Sequence, residues 1–241
     1  LREYIARRLQ SHGISVSADE TLITSGSQQG IDLVFKMIAA PGKAVAIESP
    51  TYDFVHPLLR FYGLKPLEIP VRRDGMDLSV LAEIIRQEQP AMIYTMPTFQ
   101  NPTGISTSQA HREQLLSLSE KHRIPIFEDG FEEEMKYCGR VVLPIKSMDR
   151  NQLVIYCGTF SKVLFPGVRI GRIAAARECI DRLAAIQCFS ELSPSMILQA
   201  AIQEFCQKGC YDRQISKMHR VFRKRMQTAL RALHRHISPA W

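Results

Sequence analysis

Gly158-Thr159-Phe160-Ser161-Lys162-Val163-Leu164-Phe165-Pro166-Gly167-Val168-Arg169-Ile170-Gly171 is the stretch on which the reading of the chain turns. The apolar run before it, Leu153-Val154-Ile155-Tyr156-Cys157, has the length and composition of a buried strand. Pro166 and Gly167 force a turn, and Val168 to Ala174 reads as the next strand. One amine, Lys162, therefore stands at the end of a core strand, and one guanidinium, Arg169, returns soon after it. Hydroxyls at Thr159 and Ser161, with Arg169, can hold a phosphate. Lys162 can then form a Schiff base with an aldehyde tethered by that phosphate. A surface lysine in a strand–turn–strand corner is the plainer alternative, and the upstream sequence decides between them.

Upstream, helical and strand patterns alternate, which predicts an α/β fold with a mostly parallel central sheet flanked by helices. Thr21 to Thr24 reads as a short strand, and Ser25-Gly26-Ser27-Gln28-Gln29-Gly30 opens a helix. Small residues at a helix start leave backbone N–H groups, including those of Ser27 and Gln28, free to receive an anion. A plain N-cap at Ser25 or Ser27 is equally consistent with the pattern. The strand Ala44 to Glu48 leads into Ser49-Pro50-Thr51-Tyr52, which places an aromatic ring at a strand C-terminus. Ligands of open α/β sheets gather at that end. Tyr52 can face a planar heterocycle there, or simply pack on the core.

The strand Ala91 to Thr95 ends in a loop stiffened by Pro97 and Pro102 that carries Asn101, a donor suited to a phenolate oxygen or an ordinary turn residue. Ser106 to His122 reads as an amphipathic helix. The strand Arg123 to Asp129 ends in two carboxylates, Glu128 and Asp129, which alternation sends to opposite faces. A buried Asp129 calls for a cationic partner such as a protonated pyridine nitrogen, or serves as a helix N-cap. The acidic run Glu132 to Glu134 reads as a solvated segment.

Composition excludes several classes. With 241 residues, 45% hydrophobic and 23% charged, the chain has the make-up of an ordinary globular protein. No apolar run approaches a membrane span. No GxGxxG or P-loop pattern occurs. The six cysteines form no paired framework, so reduced thiols in a cytoplasmic protein are expected. Cys206, Cys210 and His219 make a poor metal set. The net charge of +7 is concentrated between Tyr211 and His236, where eight Lys or Arg stand against one acid, Asp212. That window reads as the solvated face of a long helix, with nucleic-acid contact the less favoured alternative.

Taken together in this order, Gly26 to Gly30, Pro50-Thr51-Tyr52, Asn101-Pro102-Thr103-Gly104, Glu128-Asp129, Gly158 to Lys162 and Gly167 to Gly171 resemble the fold-type-I pyridoxal-phosphate (PLP) enzymes of aminotransferase class I/II. The resemblance spans nearly the whole chain. Within the family the chain looks most like the kynurenine/2-aminoadipate aminotransferase branch and the aminotransferase-like domain of MocR-type GntR regulators. Residues 128–137 look more like the regulators' version.

The resemblance implies a PLP-dependent transferase-like large domain over 1–190, then linking helices and the start of a small C-terminal domain over 191–241. It implies pyridoxal 5'-phosphate as cofactor, an amino acid and a 2-oxo acid as substrates, and a homodimer. Lys162, Asp129 and Tyr52 form the implied catalytic set. Lys162 holds the cofactor as a Schiff base and then acts as general acid and base. Asp129 keeps the ring nitrogen protonated, Asn101 donates to the ring oxygen, and Tyr52 stacks on the ring. Ser27, Gln28, Thr159, Ser161 and Arg169 hold the phosphate. Phe131 stands where the family usually places a tyrosine. The family's substrate-carboxylate arginine lies in the small domain, beyond the sequence in hand. The alternative is a PLP-binding effector domain of a transcriptional regulator, with DNA contact made by an upstream winged helix.

Overall fold

A computed structural model describes residues 1–130, 133–136 and 142–237. The strands are β1 (Thr21–Thr24), β2 (Ala44–Ser49), β3 (Lys65–Arg72), β4 (Gly75–Met76), β5 (Met92–Thr95), β6 (Ile126–Asp129), β7 (Val154–Thr159) and β8 (Gly171–Ala174). They form one sheet in the order β1-β8-β7-β6-β5-β2-β3-β4. Neighbours from β7 through β6, β5 and β2 to β3 are parallel. β8 is antiparallel to both β7 and β1. β1 therefore runs with β7, and the C-terminal ends of β1, β7, β6, β5 and β2 share one sheet edge with the N-terminal end of β8.

The helices are α1 (Arg2–Ser11), α2 (Ser27–Ile38), α3 (Val55–Phe61), α4 (Leu78–Glu88), α5 (Gln109–His122), α6 (Ile145–Met148), α7 (Arg177–Glu191), α8 (Met196–Gln207) and α9 (Cys210–His236). The two-residue period of each strand divides the core. Val45, Ile47, Met92, Tyr94, Phe127, Ile155, Cys157 and Ile173 pack beneath α2, α3 and α7. Ala46, Ile93, Ile126 and Val154 turn the other way, onto α4, α5 and α6. On that second side, towards β1 and β8, α1, α8 and the first turn of α9 bury Ile5, Leu9, Ile202, Cys206 and Tyr211 with Phe160 and Ile170.

Several boundaries depart from the sequence expectation for local reasons. The strand expected from Val168 starts at Gly171, because Pro166–Val168 forms a 3-10 turn and Arg169 takes a left-handed conformation at φ 44°. The helix expected from Ser106 starts at Gln109, with Ser108 capping the His111 N–H and Thr107 buried against Arg112. The strand expected from Arg123 starts at Ile126, because Arg123 closes α5 at φ 55°. The basic window lies on α9. Its Lys and Arg are exposed, as a solvated face requires, while Ile215, Met218 and Phe222 lean on the core. No helix among the described residues is long and apolar enough to cross a membrane.

Candidate active site

The shared sheet edge builds a cavity lined by Ser27, Tyr52, Met96, Asn101, Asp129 and Lys162. Each side chain arrives from a strand end. Ser27 opens α2 after β1, and Tyr52 follows β2. Met96 and Asn101 follow β5, Asp129 closes β6, and Lys162 follows β7. Residues far apart in sequence meet here because the strands run in step.

The two adjacent carboxylates at the end of β6 part as the alternation predicts. Glu128 shares the parity of Ile126 and accepts from the Ile145 and Lys146 N–H groups at the start of α6, both at 2.8 Å. Burial raises its carboxyl above the usual carboxylate value despite these donors. Asp129 shares the parity of Phe127 and faces the cavity. It is 3% exposed and accepts from the Tyr94 hydroxyl at 2.8 Å. In sequence Tyr94 reads as one more member of an apolar strand, and nothing there sets it beside Asp129. A hydroxyl at the centre of a buried strand does need a partner, and that was the available signal.

The N-terminus of α2 forms the second part of the site. Gly26 stands at the N-cap with φ 86° and supplies no side-chain cap. Arg169 lies against it, with Nη2 donating to the Ser25 carbonyl oxygen at 2.9 Å. A guanidinium thus sits beside the positive end of a helix dipole, an arrangement that favours an anion between them. Ser161 Oγ and Gln28 Oε1 are buried and have no hydrogen-bond partner among the described residues. Thr159 differs: its hydroxyl accepts from the Ser161 N–H at 3.1 Å and donates to the Ile170 carbonyl at 3.3 Å. It helps shape the turn that presents Ser161 and Lys162.

Of the expected residues, Ser27, Tyr52, Asn101, Asp129 and Lys162 line the cavity itself. Arg169, Gln28 and Ser161 belong to the anion-ready rim. Phe131 lies outside the described residues. Glu134, expected in a solvated run, is instead 7% exposed and paired bidentately with Arg8 at 2.6 and 2.8 Å.

Comparison with known proteins gives a consistent result. The profile for aminotransferase class I and II matches residues 1–239. Aromatic-amino-acid aminotransferase 1 of Thermococcus litoralis is 33% identical over 97% of this chain and 56% of its own length. The uncharacterized HTH-type transcriptional regulator YdfD of Bacillus subtilis is 33% identical over 98% of this chain and 49% of its own length. The crystal structure of LysN, the alpha-aminoadipate aminotransferase of Thermus thermophilus complexed with N-(5'-phosphopyridoxyl)-L-leucine, superposes with a TM-score of 0.91. It is 31% identical, and the match covers 98% of this chain and 60% of that one. The chain spans about half to three-fifths of the length of these relatives.

Proposed function

The chain belongs to the class I and II aminotransferases, and we propose that it transfers an amino group between an amino acid and a 2-oxo acid with pyridoxal 5'-phosphate as cofactor. The single observation that carries this reading is the convergence of Lys162, Asp129, Asn101, Tyr52 and Ser27 on one cavity. The residues present fit the group. The uncapped α2 N-terminus, Arg169 and the unpartnered Ser161 hydroxyl suit its phosphate. A buried carboxylate, Asp129, suits a protonated ring nitrogen.

Bound PLP supplies an electron sink for the charge left at the substrate α-carbon when its proton departs. Lys162 Nζ would hold the cofactor covalently and would take up and return the α-carbon proton. Asp129, oriented by the Tyr94 hydroxyl, holds the proton on the ring nitrogen. Asn101 would donate to the ring oxygen, and Tyr52 would cover the ring face and exclude water. The N–H groups of Ser27 and Gln28, the Ser161 hydroxyl and Arg169 anchor the phosphate. Thr159 sets the turn that aims Ser161 and Lys162.

The test is borohydride reduction of the PLP-loaded protein followed by peptide mass spectrometry. The cofactor mass is expected on Lys162 and is expected to vanish in Lys162→Ala. Retention of reducible cofactor by that variant sinks the assignment. A panel of amino acids then reads the reaction: bleaching of the visible band with release of a 2-oxo acid identifies the amino donor.

A second reading is favoured by the regulator relative, which matches this chain over nearly all its length. In it the same cavity binds PLP and an amino acid, and the resulting shift in conformational population acts on an upstream winged helix. Stalling after amino-acid binding, with no 2-oxo acid released, supports the regulator.

We also infer a cytoplasmic homodimer. Phe189, Leu192, Met196 and Ile197 are 92%, 80%, 68% and 82% exposed where α7 meets α8, an apolar surface suited to a second copy. Unpaired thiols at Cys157 and Cys206 suit a reducing compartment. Residues 1–190 form the cofactor-binding domain in this reading, and 191–241 lead into a smaller one. Sedimentation showing a PLP-loaded monomer contradicts the dimer.

A further inference from the structure

Glu48 lies near the end of β2 and is 1% exposed, and the proposed chemistry makes no use of it. Its carboxylate accepts from Thr95 Oγ1 at 2.5 Å, from the Met96 N–H at 3.2 Å and from Gln100 Nε2 at 3.2 Å. Gln100 is 2% exposed and completely engaged. The same amide nitrogen donates to the Pro50 carbonyl at 2.7 Å. Its amide oxygen accepts from the N–H of Thr103 at 3.0 Å and from the hydroxyl of Thr103 at 2.6 Å. The loop also closes on itself, through Gln100 N–H to Ile105 O at 2.8 Å and Gly104 N–H to Gln100 O.

The location of this network gives it a purpose. β2 and β5 are paired from Val45 and Met92 only as far as Ile47 and Tyr94. Beyond that point no backbone ladder holds the two strands together. Their continuations are the segment carrying Tyr52 and the loop carrying Asn101, two side chains that line the same cavity. Glu48 and Gln100 supply side-chain hydrogen bonds at the level where the ladder stops. One end reaches the Pro50 carbonyl, close to Tyr52, and the other reaches Thr103, close to Asn101. A buried polar network with every member satisfied is rigid, because each broken bond strands a partner away from water.

We propose that Glu48 and Gln100 are positioning residues, a buried clip that fixes the gap between Tyr52 and Asn101 and so the width of the cavity. The proposal rests on the reading of that cavity as the cofactor site, but the clip itself can be tested without cofactor. An ordinary stabilising network loosens the whole sheet when it is cut. A clip loosens the two loops together and leaves the strand ends of β6 and β7 as they were.

The experiment is hydrogen exchange on the cofactor-free protein and its variants. Gln100→Met keeps side-chain length and removes every bond made by the Gln100 amide. Thr103→Ala, at an exposed position, removes two bonds from the rim, the hydroxyl's donation to Gln100 Oε1 and its acceptance from the Ile105 N–H, and leaves the core intact, so it serves if Gln100→Met fails to fold. Amides of residues 51–55 and 101–104 are expected to exchange about tenfold faster or more in Gln100→Met, the scale of one buried hydrogen bond. Thr103→Ala is expected to raise the same two groups by a smaller factor. Amides at 126–130 and 154–159 are expected to keep their wild-type rates. Acceleration of one loop alone, a uniform rise across the sheet, or no change overturns the clip.

A PLP titration separates the two ideas. Gln100→Met is expected still to give the borohydride-trapped adduct at Lys162, with PLP affinity weakened about tenfold. Unchanged affinity beside accelerated loops overturns the positioning role. Failure of the wild-type protein to bind PLP overturns the cofactor reading, and the exchange result then judges the clip by itself.

Discussion

Arg169 and Gly26 are in direct contact: a β-carbon built on Gly26 would come within 2.6 Å of the Arg169 Nη2. The guanidinium can reach the N-terminus of α2 only because that position carries no side chain, and Gly26 also holds a φ of 86° that side chains rarely adopt. Gly26→Ala is therefore expected to displace Arg169 and weaken PLP binding with the chain still folded. Arg169→Gln tests the same relationship from the other side. PLP affinity is expected to fall roughly 10- to 100-fold, the range of a lost charge-assisted hydrogen bond, while affinity for pyridoxal without its phosphate stays near wild type. Equal losses for both ligands would show that Arg169 does not read the phosphate.

Gly130 directly follows Asp129, and a β-carbon there would lie 2.5 Å from the Tyr156 ring and hydroxyl. Tyr156 is fully buried and cannot swing away. Gly130→Ala is expected to cost about 1–3 kcal/mol through overpacking, measured as a lower urea midpoint with an unchanged m-value. Wild-type stability would mean that the β6–β7 corner relaxes freely.

Glu48 gives a pH dependence of definite sign. Burial pushes its carboxyl from the ordinary 4.5 up to about 7, with the charge of Asp129 adding a little and the hydrogen bonds from Thr95, Gln100 and Met96 opposing. The folded state thus binds this proton more tightly than the unfolded state does. The contribution to stability is complete below pH 4.5 and is lost as pH rises through about 7. Subtracting the Glu48→Gln stability profile from the wild-type profile is expected to leave a decline of at most about 1.4 kcal/mol per pH unit in that window. A flat difference refutes the assignment.

Glu134 and Arg8 form a bidentate pair that ties the segment after β6 to α1. Burial disfavours the Glu134 charge, yet the Arg8 hydrogen bonds and the nearby Arg172 guanidinium hold its carboxyl below the usual value. Glu134→Ala leaves Arg8 paired with Asp212 alone and is expected to cost about 1–3 kcal/mol. Arg8→Met combined with it is expected to cost clearly less than the sum of the two single changes in a urea double-mutant cycle. Additive losses would mean that the two do not act as a pair.

Much of this arrangement was legible in the sequence because it follows from period and punctuation. Strand alternation separated Glu128 from Asp129, and the order of strand ends brought Tyr52, Asn101, Asp129 and Lys162 to one edge. What was not legible depends on tertiary partners. Glu134 looks solvated until Arg8 and His219 close on it from distant parts of the chain. The bond from the Thr159 hydroxyl to the Ile170 carbonyl is likewise invisible until the approach to β8 is folded. The late start of β8 was hidden because the residue that takes the left-handed conformation is Arg169, while the neighbouring Gly167 is the one the sequence advertises.

The position of β1 at the sheet margin has a consequence for synthesis. Among the described strands its only neighbour is β8, with Thr21 opposite Ala174 and Thr24 opposite Gly171. On the ribosome β1 emerges long before that partner, so the nascent chain carries an open strand edge through most of its elongation. Arg169 emerges just ahead of β8 and completes the α2 rim at the same moment. Ribosome-arrested chains whose β8 is still inside the exit tunnel are expected to be cleaved by protease at Thr21–Thr24 and to retain no PLP, and chains long enough to expose both β8 and α7 are expected to resist cleavage and load.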